Sequence, residues 1–315
     1  MKKNDNLRIV SGSSHPQLAK KIADSIGIKL SNIKLSRFAS GEIYARLEDN
    51  IRGTDVYVVQ TCSQNVNDDL MELFIITDSL KRASARSITA VIPHFGYARQ
   101  DKKSASREPI SAKLIADLLT AAGINRIITL DLHSDAIQGF FNYPVDHMTG
   151  LLIISDYFKN INVKDPVIVS PDTGRAKTAK KLADRIGAPL AIMHKSRPTH
   201  NVAEITHLVG DVKNRTAILI DDMVDTAGTI TQGLSTIRKC GANEDIYIAA
   251  THPVFSDPAV ERLDKAGLKQ VVVLDTIHLP EEKKFKSLKT LSCATLLAEA
   301  IKRNHLNQSI SELFD

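Results

Sequence analysis

Ile218-Leu219-Ile220-Asp221-Asp222-Met223-Val224-Asp225-Thr226-Ala227-Gly228-Thr229 is the stretch whose reading decides the fold. With Ala217 it forms an apolar strand that ends in two carboxylates, and a turn of small residues then opens a helix. Open α/β sheets hold their ligands at the carboxyl ends of strands, where Asp221 and Asp222 fall. Thr226, Ala227, Gly228 and Thr229 present backbone N–H groups and hydroxyls at a helix N-terminus, which suits a phosphate. Carboxylates repel phosphate, so their presence beside such a turn needs a reason. A sugar phosphate supplies one: the carboxylates accept hydrogen bonds from vicinal hydroxyls or hold a metal, and the turn takes the phosphate. Capping alone also favours Asp and Thr at such positions, but it does not call for two adjacent aspartates and a third two residues further on.

Outward from that stretch, the chain repeats itself. Ile9-Val10-Ser11 leads into Ala19-Lys20-Lys21-Ile22-Ala23-Asp24-Ser25-Ile26-Gly27, and Ile168-Val169-Ser170 into Ala179-Lys180-Lys181-Leu182-Ala183-Asp184-Arg185-Ile186-Gly187. Both read as a β-branched strand followed by an amphipathic helix, with Gly27 and Gly187 at the position that ends a helix in the left-handed region. Val56-Tyr57-Val58-Val59 matches Ala217-Ile218-Leu219-Ile220 as a buried strand. Helices near 69–82 and 229–240 follow, and then strands at 88–93 and 246–251. Strands alternating with helices predict parallel sheets flanked by helices. The chain therefore reads as two duplicated α/β domains, 1–146 and 147–315, meeting around Pro144 and Gly150. The final helix near 293–303 is assigned to the second, with a tail able to pack on the first.

The copies differ where chemistry matters. After its strand the first has Gln60-Thr61-Cys62-Ser63-Gln64-Asn65-Val66, with no paired carboxylates and no glycine, so only the second is expected to bind a sugar phosphate.

Composition narrows the partners. The 315 residues carry 41 basic and 36 acidic side chains, a net charge of +5 that suits small polyanions. With 5% aromatic residues and no basic run interleaved with aromatics, nothing argues for nucleic acid. No uncharged apolar run approaches the ~20 residues needed to span a bilayer, and Met1-Lys2-Lys3-Asn4-Asp5-Asn6-Leu7 does not read as a secretory signal. Cys62, Cys240 and Cys293 have no metal-ligand spacing and read as reduced thiols of a cytoplasmic protein.

The opening stretch resembles the phosphoribosyl-diphosphate loop of type I phosphoribosyltransferases. Further motifs in one order narrow the resemblance: Gly96-Tyr97-Ala98-Arg99-Gln100-Asp101, Ser106-Arg107-Glu108-Pro109-Ile110, Asp131-Leu132-His133, Ser170-Pro171-Asp172 and Asn201-Val202-Ala203-Glu204. Over nearly its whole length the chain is similar to the ribose-phosphate pyrophosphokinase family. That resemblance implies two phosphoribosyltransferase-type domains and a transferase of nucleotide biosynthesis, moving the diphosphate of ATP to the anomeric hydroxyl of ribose 5-phosphate. Two other readings stand beside it. One is a non-catalytic regulatory homologue assembling with an active synthase; the other is a phosphoribosyltransferase acting on a base.

The resemblance also implies roles. Asp221, Asp222 and Asp225 fall in the ribose 5-phosphate pocket, with Thr226, Ala227, Gly228 and Thr229 around the phosphate. ATP falls to Phe38, Gly41 and Glu42, contributed across a subunit boundary, and to Arg99, Gln100 and Asp101. By charge density alone the 99–108 stretch reads as a solvated loop, though its place behind a strand and the Gly96 turn suits phosphate. Lys195 and Arg197 correspond to the family's catalytic loop, whereas alone they read as a surface turn. Mg²⁺ falls to His133 and Asp172; spacing alone reads His133 as a polar strand-end residue. Phosphate or ADP as effectors and a homo-oligomer, a hexamer built from dimers, are implied too.

The chain departs from the family pattern at defined positions. Phe-x-Asp-Gly-Glu becomes Phe38-Ala39-Ser40-Gly41-Glu42, which removes a carboxylate from the adenine side. Pro-Asp-x-Gly-Gly-Val becomes Pro171-Asp172-Thr173-Gly174-Arg175-Ala176, where Arg175 either crowds the backbone or adds a cation. His200 replaces a proline. Asn50 and Ala105 replace a serine and an arginine of the effector site, while Arg52 and Ser106 remain, so weaker control is expected.

Overall fold

The computed structural model describes residues 6–199 and 202–313, with the side chains of 195–199 and 202–206 outside that description. One succession of elements runs twice along the chain. The first pass is β1 (Leu7–Ser11), α1 (Pro16–Ile26), β2 (Ile33–Arg37), β3 (Ile43–Leu47), β4 (Asp55–Val59), α2 (Val66–Arg82), β5 (Ser87–Ile92), α3 (Ser111–Ala122), β6 (Arg126–Leu130), β7 (Val145–Met148) and α4 (Leu151–Ile161). The second is β8 (Pro166–Ser170), α5 (Ala176–Ile186), β9 (Leu190–Thr199), β10 (Val202–Val209), β11 (Thr216–Val224), α6 (Gly228–Lys239), β12 (Tyr247–Pro253), α7 (Ala259–Lys265), β13 (Gln270–Leu274), β14 (Leu288–Leu291) and α8 (Ala294–His305).

Local chemistry explains the repeated helices. Pro16 opens α1, where its missing N–H costs nothing, and His15 Nδ1 accepts the Leu18 N–H at 3.3 Å. Leu18, Ile22 and Ile26 face inward at four-residue spacing. Gly27 (φ 84°) ends α1 and Gly187 (φ 70°) ends α5 in the left-handed region, where a side chain would strain the backbone.

In the first unit β1-β4-β5-β6-β7 form a wholly parallel sheet, and β2 and β3 form a separate antiparallel hairpin. In the second unit the order is β10-β9-β8-β11-β12-β13-β14, parallel except where β10 pairs with β9. The central strands are apolar along their length: Val167, Ile168 and Val169, Ala217 to Ile220, and Val271 to Leu274 are all buried. Helices on both faces of a parallel sheet require such runs.

Two compact units result, one of residues 1–149, 276–278 and 292–315, the other of 150–275 and 279–291. The closing helix of each pass thus lies with the other pass: α4 packs on α5 and α8 on α1. The placement of the final helix with the second half is corrected here. Its buried face, Leu297, Ala298 and Ile301, covers the first unit. Tyr57 Oη donates to Asn304 Oδ1 at 2.6 Å, and Lys302 Nζ to the Ser25 carbonyl at 3.2 Å. An amphipathic pattern fixes which face of a helix is buried but not which sheet receives it.

Candidate sugar-phosphate site and nucleotide segments

In the second unit the chain leaves β8 toward β9 on one side and leaves β11 toward β12 on the other. The strand order therefore reverses between β8 and β11, and the crevice outside their carboxyl ends is the favoured ligand position of such a sheet. The pairing makes room there. β11 pairs with β8 only as far as Leu219 opposite Val169, yet with β12 as far as Val224 opposite Pro253. Asp221 and Asp222 consequently lie inside β11 rather than after it, on a strand with one edge released.

Arg175 reaches that released edge from the turn after β8. Its Nη2 lies 2.5 Å from Asp222 Oδ2 and its Nε 3.5 Å from Asp221 Oδ1. Successive strand side chains point to opposite faces, so the guanidinium spans the two carboxylates from the edge between them. Asp172 caps this turn, accepting the Arg175 N–H on Oδ1 at 3.1 Å, and Ser170 Oγ donates to the Asp172 carbonyl at 2.7 Å. The charges are crowded. Burial and the neighbouring Asp222 carboxylate push Asp221 well above the usual carboxylate range, while Arg175 pulls it the other way. Hydroxyl donors or a cation at this pair would therefore stabilise the ionised form.

Past β11, Asp225 is half-buried, Thr226 is exposed and Ala227 is buried in the turn; Gly228 opens α6 and Thr229 is exposed in its first turn. Ala227 takes φ 58°, ψ 7°. Arg262 of α7 donates from Nη1 to the Thr226 carbonyl at 2.9 Å. A Cβ at Gly228 would stand 3.2 Å from that nitrogen, so glycine gives the arginine its room. This brings Asp172, Asp221, Asp222 and the 225–229 turn to one end of one sheet.

The equivalent position in the first unit is closed by its own side chains. Gln60 Oε1 accepts from Ser14 N and Oγ at 3.2 and 2.7 Å, and Gln60 Nε2 donates to Glu72 Oε1 at 2.8 Å. Glu72 also accepts from Ser13 N and Oγ at 2.7 and 2.9 Å, and Thr61 N donates to Ser14 Oγ at 3.0 Å. A Cβ at Gly12 would fall 2.1 Å from Gln60 Oε1, so the loop after β1 sits directly on this side chain. In this network the polar groups are occupied with one another.

The other expected site residues lie mainly in the first unit. Phe38, Gly41 and Glu42 form the exposed tip of the β2–β3 hairpin, where Gly41 N donates to the Phe38 carbonyl at 2.9 Å and Ser40 Oγ to Glu42 Oε2 at 2.6 Å. Arg99, Gln100 and Asp101 follow β5, with Gln100 Oε1 accepting from Ser111 Oγ at 2.5 Å. Both segments meet the first turn of α2: Arg37 pairs with Asp68 at 3.0 Å, and Tyr97 Oη donates to Asn67. His133 is half-buried in the loop after β6. Lys195 and Arg197 lie in β9, and their side chains are outside the described residues. Among the described residues, no group of three or more His, Cys, Asp and Glu side chains is placed to hold a metal ion.

Comparison with known proteins fixes the family. Residues 7–123 match the N-terminal domain of ribose phosphate pyrophosphokinase, and residues 196–315 the phosphoribosyl synthetase-associated domain. The chain is 51% identical over 313 residues to a ribose-phosphate pyrophosphokinase of Fusobacterium nucleatum, covering 99% of both chains. It is 53% identical over 309 residues to that of Bacillus subtilis, covering 98% of this chain and 97% of the other. The chain belongs to the ribose-phosphate pyrophosphokinase family. A crystal structure of phosphoribosylpyrophosphate synthetase from Mycobacterium smegmatis matches with a TM-score of 0.90 at 45% identity, over 96% of this chain and all of that one. The fold is accordingly the two-domain phosphoribosyltransferase type.

Two features of this family member escape a reading of the sequence. Arg262 is one cation of an ordinary amphipathic helix, and only the fold brings it to the Thr226 carbonyl. Arg175 stands out as a departure from the family pattern and is the added cation of the two readings, but its partners, the aspartate pair, are given only by the fold.

Proposed function

We propose that this chain transfers the diphosphate of ATP to the anomeric hydroxyl of ribose 5-phosphate, releasing AMP. The anomeric oxygen attacks the β-phosphorus and loses its proton; the bond from that phosphorus to the α,β-bridging oxygen breaks, and AMP leaves with the oxygen. The observation that carries this reading is the aspartate pair and small-residue turn at the switch point of the second sheet, in a chain of this family.

The roles rest on chemistry. Asp221 and Asp222 accept from the ribose hydroxyls, Asp225 lies near the anomeric carbon, and Thr226, Ala227, Gly228 and Thr229 bind the 5-phosphate. Phe38, Gly41, Glu42, Arg99, Gln100 and Asp101 bind ATP. Lys195 and Arg197 match the family's catalytic loop in order and spacing. In that role they stabilise charge on the transferring diphosphate, the term on which phosphoryl transfer chiefly depends.

For the metal, Asp172 offers a hard carboxylate oxygen beside the aspartate pair. Mg²⁺ is commonly held by one or two carboxylates plus substrate phosphates, and this donor set fits it. His133, a less usual magnesium donor, is proposed for the metal on the family pattern alone. When bound, the ion neutralises phosphate charge.

Assembly is proposed on the family pattern, a homo-oligomer as a hexamer built from dimers, and on Ile110, Leu114 and Leu118. These apolar residues, at four-residue spacing from the N-cap of α3 into the helix, stay exposed. Phosphate or ADP is proposed as effector at Arg52 and Ser106, with weak response because Asn50 and Ala105 alter the site. No described helix is long and apolar enough to cross a membrane. With three free cysteines, a cytoplasmic location is proposed.

Incubation of the pure protein with ATP, Mg²⁺ and ribose 5-phosphate tests the reading. AMP and phosphoribosyl diphosphate are expected in equal amounts. No product across phosphate and nucleotide conditions would sink it and favour a regulatory partner.

A further inference from the structure

The carboxylates assigned to the ribose hydroxyls are already held by one of the protein's own side chains. Arg175 reaches Asp222 at 2.5 Å and Asp221 at 3.5 Å. The base of this side chain is fixed, because its N–H is held by Asp172 in the short 3₁₀ turn Thr173–Arg175. Its side chain is 17% exposed, against 5% for that of Asp222. One contact is close; the other is longer than a strong charge-assisted hydrogen bond. The guanidinium is thus seated at the pair yet within reach of solvent.

We propose that Arg175 is a resident competitor of the sugar: it occupies the Asp221–Asp222 pair in the unliganded protein and must leave before a vicinal diol binds there. This rests on the assignment of the pair to the ribose hydroxyls. The argument is one of donors and acceptors. A guanidinium presents adjacent N–H donors in a planar fork, a vicinal diol presents adjacent O–H donors, and both seek the same carboxylate oxygens. An apparent affinity falls in proportion to the fraction of protein in which the site is open.

The first unit provides the contrast. There Gln60 closes the equivalent position by bonding to Ser14, Glu72 and the Asp69 carbonyl, and it is 2% exposed. That closure is a satisfied neutral-and-acidic network within the fold. The closure by Arg175 is one long side chain over two aspartates, removable by rotation without unfolding the loop beneath. A phosphate, in contrast, calls on the 225–229 turn and not on the aspartates, so Arg175 competes with the diol and not with the anion.

Calorimetric titration of the full chain, in wild-type, Arg175→Gly and Arg175→Gln forms, tests this with two probes, ribose 5-phosphate and inorganic phosphate. Thermal melts establish that each variant is folded, and Arg175→Gln keeps the side-chain bulk should the glycine variant fail to fold. Ribose 5-phosphate is expected to bind about tenfold tighter once the guanidinium is gone, the scale of a hydrogen bond to a charged group. Inorganic phosphate is expected not to bind tighter, because deleting the guanidinium leaves the aspartates' negative charge uncompensated and offers an anion nothing. Unchanged or weaker sugar binding in the folded variants overturns the proposal, as does an equal gain for both probes. Absence of ribose 5-phosphate binding in the wild type and every variant instead removes the sugar assignment on which it rests.

Discussion

Ala227 holds a left-handed backbone, φ 58° and ψ 7°, with its side chain buried. That conformation is uncommon outside glycine and costs of order 1–3 kcal/mol. The sequence offers Gly228 as the natural residue for such a turn, yet Gly228 is helical and serves to admit Arg262. Thr-Ala-Gly-Thr was legible as a turn opening a helix, but which residue bears the strain depends on packing beneath Ala227 that no local pattern records. Ala227→Val puts a β-branched side chain into the same φ; it is expected to lower the melting temperature and weaken inorganic phosphate binding by about tenfold or more. Arg262→Ala removes one hydrogen bond from the Thr226 carbonyl. A rise of roughly two- to tenfold in the KM for ribose 5-phosphate with little change in kcat is expected, since Arg262 positions the turn and touches no reacting atom. Steady-state kinetics with the sugar varied separates these parameters.

β11 is the element on which the site turns. Its apolar run was legible as a buried strand, and its end was placed before Asp221, because carboxylates interrupt the apolar pattern. The structure carries the strand to Val224, since pairing with β12 continues where pairing with β8 has stopped. A neighbour distant in sequence thus sets the strand's length, and one-sided pairing exposes the edge that Arg175 reaches. α8 poses the same problem at larger separation. Its C-terminal end is fastened where His305 Nδ1 lies 2.9 Å from Asp55 Oδ2, while Arg86 Nε and Ser87 Oγ donate to Asp55 Oδ1 at 2.8 and 2.7 Å. Burial alone would raise the Asp55 pKa, but the hydrogen bonds from Arg86, Ser87 and His305 outweigh it and hold the carboxyl below its ordinary value. A depressed carboxyl stabilises the fold above its unfolded pKa, and that contribution disappears as pH falls through the folded value. Asp55→Asn is therefore expected to cost about 1–3 kcal/mol at neutral pH. Its melting-temperature gap from wild type should close below about pH 4; a gap that persists in acid would show that the charge is not what fastens α8.

At the scale of the whole molecule, duplication was the most legible feature. Ala-Lys-Lys-x-Ala-Asp recurs after equivalent strands, and the element order repeats throughout. The divergence of Gln60-Thr61 from Asp221-Asp222 was legible too, and its physical content is a closed network in one copy and a released strand edge in the other. The boundary before α4 was legible, but the return of α8 to the first unit was not, because its amphipathic face is one that either sheet can bury. On the proposed roles the divergence of the copies makes function asymmetric: one copy is assigned the acceptor sugar and the other the nucleotide segments. ATP labelled at its β-phosphorus tests that division most directly. With ribose 5-phosphate and Mg²⁺, the label is expected to pass into the sugar product while unlabelled AMP accumulates in equal amount. Asp222→Asn should reduce that transfer by about two orders of magnitude, the scale of losing a buried charged acceptor. Label recovered in ADP, or transfer as fast in Asp222→Asn as in wild type, would contradict it.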